Sequence, residues 1–130
     1  MKIGLIGCSK KKLAGNHLAR NLYQGSLFQK SLAIAERLDF NTIYILSAKY
    51  GLLGLDRYVD SYEDDLTVKN KAERLSWSES VRNKLPTGKY YYFCGKKYWE
   101  FLPSGTTMFK GKGIGEILSN LNQKLANMKI

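Results

Sequence analysis

Strand-length apolar runs alternate with helically spaced apolar residues along nearly the whole chain, and that alternation leaves few folds open. Lys2–Gly7 (KIGLIG) reads as a buried strand. Leu27–Leu38 (LFQKSLAIAERL) sets Leu27, Phe28, Ser31, Leu32, Ala35 and Leu38 at helical spacing. Thr42–Leu46 (TIYIL), β-branched and aromatic, reads as a second strand. Residues 56–66 dissolve into tyrosines and acids, as a long loop would. Val68, Ala72, Leu75 and Val81 then mark a helix that stops at Pro86 and Gly88. Lys89–Cys94 (KYYYFC) is a third strand, Lys97–Leu102 a short helix before Pro103, and Thr106–Phe109 (TTMF) a fourth strand. Ile114, Ile117, Leu118, Leu121 and Leu125 recur with helical period and give the last helix.

Strands separated by helices pair in parallel through right-handed crossovers. The expected architecture is therefore α/β: a small three-layer α/β/α domain over residues 1–130, with a mostly parallel sheet of about four strands. A length of 130 residues fits one domain, and no repeat, low-complexity tract or linker interrupts it. Hydrophobic residues make up 44 % of the chain, enough for a packed core and too many for a disordered one. No apolar run is long enough to cross a bilayer and no signal-peptide layout is present, so a cytoplasmic protein is expected.

Charge narrows the partners. Twenty-one Lys and Arg against eleven Asp and Glu give a formal net charge of +10. Such a surplus suits a polyanion, because neutralising phosphates releases counterions; a lysine-rich surface also serves solubility alone. Cys8 and Cys94 are the two cysteines, far apart, and His17 is the one histidine. That inventory argues against a structural zinc site and against Ser-His or Cys-His nucleophile pairs, and no metal or cofactor is expected. A cytoplasmic setting would keep both thiols reduced.

In open α/β sheets, ligands bind beyond the carboxyl ends of the strands. The four strand ends here read Cys8-Ser9-Lys10-Lys11-Lys12, Ser47-Ala48-Lys49-Tyr50-Gly51, Cys94-Gly95-Lys96-Lys97 and Lys110-Gly111-Lys112-Gly113. Small residues let a ligand approach the backbone, and lysines attract anions. A basic, polar-floored cleft on that rim is the expected site, although βα turns favour small and polar residues in any case. There is no GxxxxGK[ST] loop, and GKGIGE (Gly111–Glu116) has the wrong spacing for a dinucleotide fingerprint; it reads as the turn that starts the last helix. Asp56, Asp60, Glu63, Asp64 and Asp65 form an acidic island beside this basic rim. A carboxylate there could orient a water or stabilise a cationic sugar-like transition state; equally, these acids could cap a helix and pair with lysines.

The blocks IGCSKKKL, ARNLYQGSLFQKSLAIAE and IYILSAKYGLLGLD, with a weaker GKGIGEILSNL near the C-terminus, resemble a family of small bacterial and phage domains of unknown function. That family is distantly similar to YaaA-type peroxide-stress proteins and to nucleobase-excising enzymes of the uracil-DNA-glycosylase type. The resemblance points to Cys8, Ser9 and Lys10; to Arg20, Leu22, Tyr23, Gly25 and Phe28; and to Ser47, Lys49, Tyr50, Gly51 and Leu52. Asp56 falls where relatives often carry an acid, and the acids after Tyr62 blur which carboxylate would act. Tyr23, Phe28 and Tyr50 also read as packing residues.

Two functions follow as expectations. One is an N-glycosidic hydrolase acting on DNA or a nucleotide derivative, with Asp56 or Asp65 positioning water. Cys8, Ser9, Lys10, Tyr23, Ser47, Lys49, Tyr50, Gly51, Cys94 and Gly95 would hold the base or sugar. Lys11, Lys12, Arg20, Lys96, Lys97, Lys110 and Lys112 would hold the phosphates. The other is a non-catalytic nucleotide or nucleic-acid binding module, a phage or host-defence accessory, with DNA ahead of RNA. The sequence leaves oligomeric state open.

Overall fold

The computed structural model describes residues 1–128. Its elements are β1 (Lys2–Gly7), β2 (Asn16–Leu18), α1 (Ala19–Leu22), α2 (Ser26–Arg37), β3 (Thr42–Ser47), β4 (Gly51–Gly54) and β5 (Tyr58–Asp60). A 3-10 turn (Leu66–Val68), α3 (Lys71–Lys84), β6 (Lys89–Phe93), α4 (Lys96–Trp99), β7 (Thr106–Thr107) and α5 (Gly113–Met128) complete the chain. The main sheet has five strands in the order β4-β3-β1-β6-β7. β1 pairs in parallel with β3 and β6, and β6 in parallel with β7, so these four strands end along one edge.

Strand alternation assigns the two faces. Ile3 and Leu5 of β1, Leu46 of β3 and Tyr92 of β6 pack on Trp77 and Val81 of α3. Ile6, Ile45 and Phe93 point the other way, against Phe28, Leu32 and Ala35 of α2 and Leu121 of α5. Both helices opposite that second face show the expected spacing, and α2 lies directly against α5. α3 begins with a capping box: Asn70 Oδ1 accepts the Glu73 N–H at 2.9 Å, and Glu73 Oε1 accepts the Asn70 N–H at 3.2 Å.

The sheet differs from the sequence expectation at three places. The SAKYGLL block, expected as the end of the second strand, forms a β-hairpin. After Ser47 a three-residue connection leads to Gly51, whose φ of 69° lets the chain reverse into β4, antiparallel to β3. This adds a fifth strand. The expected loop over residues 56–66 contains β5, which pairs with β2 as a separate antiparallel ribbon. The expected strand Thr106–Phe109 shrinks to Thr106–Thr107, after which Phe109 turns toward the carboxyl edge. Among the described residues no helix is long and apolar enough to cross a membrane.

Candidate functional site

A cleft of about 780 Å³ opens over the carboxyl ends of β1 and β6. Its floor forms where the first two sequence blocks meet. Ser9 Oγ accepts the Gly25 N–H at 3.1 Å and donates to the Lys11 carbonyl at 2.7 Å, which staples the end of β1 to the start of α2. A Cβ at Gly25 would lie 2.7 Å from Ser9 Cβ, so only glycine permits this approach. Gly95 faces the cleft from the end of β6, and a Cβ there would meet nothing within 4 Å.

The walls are chemically unlike. One carries Phe93, Phe109, Ile114, Ile117 and Leu118, with Leu27 and Phe28 of α2. Ile114 is 64 % exposed, whereas Leu121, two turns further along the same helix, is buried. The other wall carries Lys10, Lys11, Lys96 and Lys97 together with Asp65 and Thr67. Among the described residues Lys10 and Lys11 have no ion-pair partner, and Lys96 Nζ stands 3.8 Å from Glu100.

Of the expected acids, Asp65 is the one that lines the cleft. Thr67 donates its backbone N–H at 3.0 Å and its hydroxyl at 2.7 Å to the same oxygen, Oδ1. Among the described residues Oδ2 has no partner. The Thr67 hydroxyl, together with its N–H and the nearby Lys10 and Lys12 charges, holds this carboxyl below its ordinary range, so it is ionised at neutral pH. Asp56 sits elsewhere: it accepts Arg20 Nε at 3.1 Å on an outer surface, while Arg20 also donates to Glu36 at 3.0 Å. That exposed three-charge cluster occupies both Asp56 and Arg20, and neither lines the cleft.

The third block supports the site without lining it. Ser47 ends β3, but its Oγ lies 2.9 Å from the Tyr62 hydroxyl, which in turn lies 2.8 Å from the Tyr23 hydroxyl. Ser47 Oγ also accepts the Tyr50 N–H, and its carbonyl accepts Trp77 Nε1. Tyr62 therefore stoppers the β3 end of the edge, edge-to-face with Tyr50 at 5.5 Å and Tyr23 at 6.3 Å. Tyr23, Ser47 and Tyr50 are structural here, Gly51 serves the hairpin, and Lys49 is an exposed turn residue over the Tyr50 ring. Burial pushes the Tyr23 hydroxyl up to about 12 and raises Tyr62 as well.

The remaining residues divide similarly. Cys8 and Cys94 both line the cleft; Cys94 is buried and its thiol is pushed up by desolvation. The Tyr98 hydroxyl lies 3.5 Å from Cys8 Sγ and donates to the Cys8 carbonyl at 3.3 Å. Lys12 is spent on the Tyr62 ring, 4.3 Å from its centroid, and on the Lys10 carbonyl. Lys97 Nζ donates to the Thr67 carbonyl. Lys110 faces a second groove between β7 and α5, and the Lys112 N–H is taken by the Glu116 carboxylate at 3.0 Å. The sequence reading missed the apolar wall, because Ile114, Ile117 and Leu118 carry the same spacing as core positions. It also passed over Thr67, whose two-residue offset from Asp65 is a recognisable turn signal. Among the described residues no three His, Cys, Asp or Glu side chains gather as a cation site.

The sequence profile described as "Family of unknown function (DUF6884)" matches residues 3–124, and the chain belongs to that family. No curated protein and no solved structure matches it.

Proposed function

We propose that this member of a family of unknown function is a nucleotide-processing hydrolase that cleaves an N-glycosidic bond in DNA or a nucleotide derivative. The observation that carries the reading is one cleft combining an apolar wall, a lysine edge and an ionised carboxylate with an unengaged oxygen. A base is a flat, largely apolar object with polar edges, and it would lie against Phe109, Ile114 and Ile117. Phosphate would sit toward Lys10, Lys11 and Lys96. The sugar then falls between them, within the reach of Asp65. The resemblance of the CSKKK, LYxG and SAKYGLL blocks to a small bacterial and phage family of unknown function, itself distantly similar to nucleobase-excising enzymes, supports the same reading. So do the net charge of +10 and the two free thiols, which suit a reducing, cytoplasmic setting.

In the hydrolysis, the C1′–N bond breaks with its electron pair leaving on the base nitrogen. Positive charge builds on the sugar, and water adds its oxygen to C1′. The Asp65 carboxylate stabilises that charge and accepts a proton from the water; solvent returns a proton to the departing base. The products are a free base and a hemiacetal sugar. The anionic carboxylate is the working form, so turnover should persist down through the ordinary carboxylate range and fail only below it.

The test is base release from nucleoside monophosphates and from single- and double-stranded DNA, plain and modified, followed by chromatography. Asp65→Asn should lose base release by roughly 100-fold or more while binding changes little. Free base from no substrate, or an Asp65→Asn enzyme with normal turnover, would contradict the reading. Binding untouched by Asp65→Asn with no turnover in either protein would instead favour a binding module. The cap that Asp65 makes on Thr67 would serve that module equally well.

A further inference from the structure

We infer that Thr67 is the positioning residue for Asp65 and that Lys97 braces the pair against the lysine edge of the cleft, an inference that rests on the hydrolase reading above. An aspartate on a loop has two side-chain torsions, and a working carboxylate must be held to within a fraction of an ångström of its target. Here both donors of Thr67 converge on one oxygen: the N–H at 3.0 Å and the hydroxyl at 2.7 Å, each on Oδ1. Two bonds from different directions to one oxygen fix both torsions. Oδ2 is thereby left as the free oxygen of a carboxylate that lines the cleft.

The turn itself is anchored from two sides. Leu66, between Asp65 and Thr67, is fully buried in the core shared with Trp77 and Val81. From the far side Lys97 Nζ donates to the Thr67 carbonyl. Lys97 belongs to α4, the element that also brings Lys96 to the rim. The distance between carboxylate and ammonium edge is therefore set by Thr67 and Lys97 together, and the loop's own preferences do not decide it. The bond to Thr67 takes one of the three donors of the Lys97 ammonium, whose charge still faces the cleft.

Thr67 could do no more than cap the 3-10 turn, and the experiment separates the two roles. Thr67→Val keeps the shape and deletes the hydroxyl, while Thr67→Ser keeps the hydroxyl. With single-stranded oligonucleotide as substrate, Thr67→Val should lower kcat roughly 10- to 100-fold with KM nearly unchanged. The acid limb of its kcat/KM profile should move to higher pH, because the bond that most favours the ionised carboxylate is gone. Thr67→Ser should restore both, and Lys97→Met should lower kcat by a smaller factor. A titration of the Asp65 carboxyl carbon by NMR gives a readout that needs no turnover: upward in Thr67→Val, unmoved in Thr67→Ser. Wild-type kcat and pH limb in Thr67→Val, beside an inactive Asp65→Asn, would overturn the positioning role and leave the hydrolase reading intact. A normal Asp65→Asn enzyme would overturn the hydrolase reading first, and the inference with it. An unshifted carboxyl titration in Thr67→Val counts against the inference in every case.

Discussion

Gly95→Phe is expected to weaken ligand binding sharply while leaving the protein folded. A Cβ at Gly95 meets nothing within 4 Å, and its φ of −78° suits any residue, so the new ring has room and no backbone strain. That room is the cleft itself. Gly95 stands at the end of β6 between the floor at Cys8 and the lysines of α4, so a phenyl group there would occupy the space a sugar or base needs. Affinity for a nucleoside monophosphate should fall by about 100-fold, the equivalent of about 2.8 kcal/mol, with melting temperature unchanged. Gly25→Ala is the contrasting control. Its methyl would press on Ser9 Cβ at 2.7 Å, so it should disturb the β1–α2 staple and cost stability as well as binding. Isothermal titration beside thermal unfolding distinguishes the two. Normal affinity in Gly95→Phe would place the ligand elsewhere.

The second large effect concerns the stoppered end of the edge. Tyr62→Phe should destabilise the fold by about 2–4 kcal/mol, because it leaves the buried Tyr23 hydroxyl and the Ser47 hydroxyl without the partner they share. The pH dependence follows from the same cluster. Tyr23 titrates near 12 when folded and Tyr62 is likewise raised, against an ordinary tyrosine value of 10.0. A folded state that prefers the neutral hydroxyl keeps its full contribution below pH 10 and loses it as pH rises toward 12. Urea unfolding at stepped alkaline pH should therefore show stability falling across that window. In Tyr62→Phe the fall should be shallower but not absent, since one raised hydroxyl is gone while burial still raises Tyr23, Tyr92 and Tyr98. A flat alkaline profile in the parent protein would show that the hydroxyls are not buried as described.

The α/β layering was legible because period and composition agree in each long element. KIGLIG, TIYIL and KYYYFC read as buried strands, and α2, α3 and α5 show apolar spacing, with α3 stopping short of Pro86 and α5 starting at Gly113. The hairpin was not legible. GLLG is four residues long and glycine-bracketed, so nothing separates it from a turn until Gly51 is seen at positive φ and Leu52 and Leu53 are seen against β3. The rim was legible for β1 and β6, where small residues and lysines follow the strand directly. It failed at β3, where Ser47 and Tyr50 look like ligand groups but serve Tyr62, a residue fifteen positions from Ser47 that no local pattern ties to it. The acids show the same limit. Asp56 and Asp65 were both candidates as sequence, and the structure separates them: Asp56 pairs with Arg20 on an outer surface, while Asp65 is held by Thr67 at the cleft. The apolar wall hid because a helix with residues 114, 117 and 118 on one face looks the same whether that face meets a core or a ligand.

The proposed ligand cleft lies at the ends of β1 and β6, bounded by α5 and the turn of Asp65. The most direct measurement is an amide NMR titration of the whole chain with a nucleoside monophosphate and, separately, a short single-stranded oligonucleotide. Shifts are predicted at Ser9, Lys10, Ser26, Asp65, Gly95, Lys96 and Ile117, with Lys49, Asp56 and Lys124 silent. Shifts that instead cluster around Asp56 and Arg20, or along the groove beside Lys110 and Lys124, would contradict it.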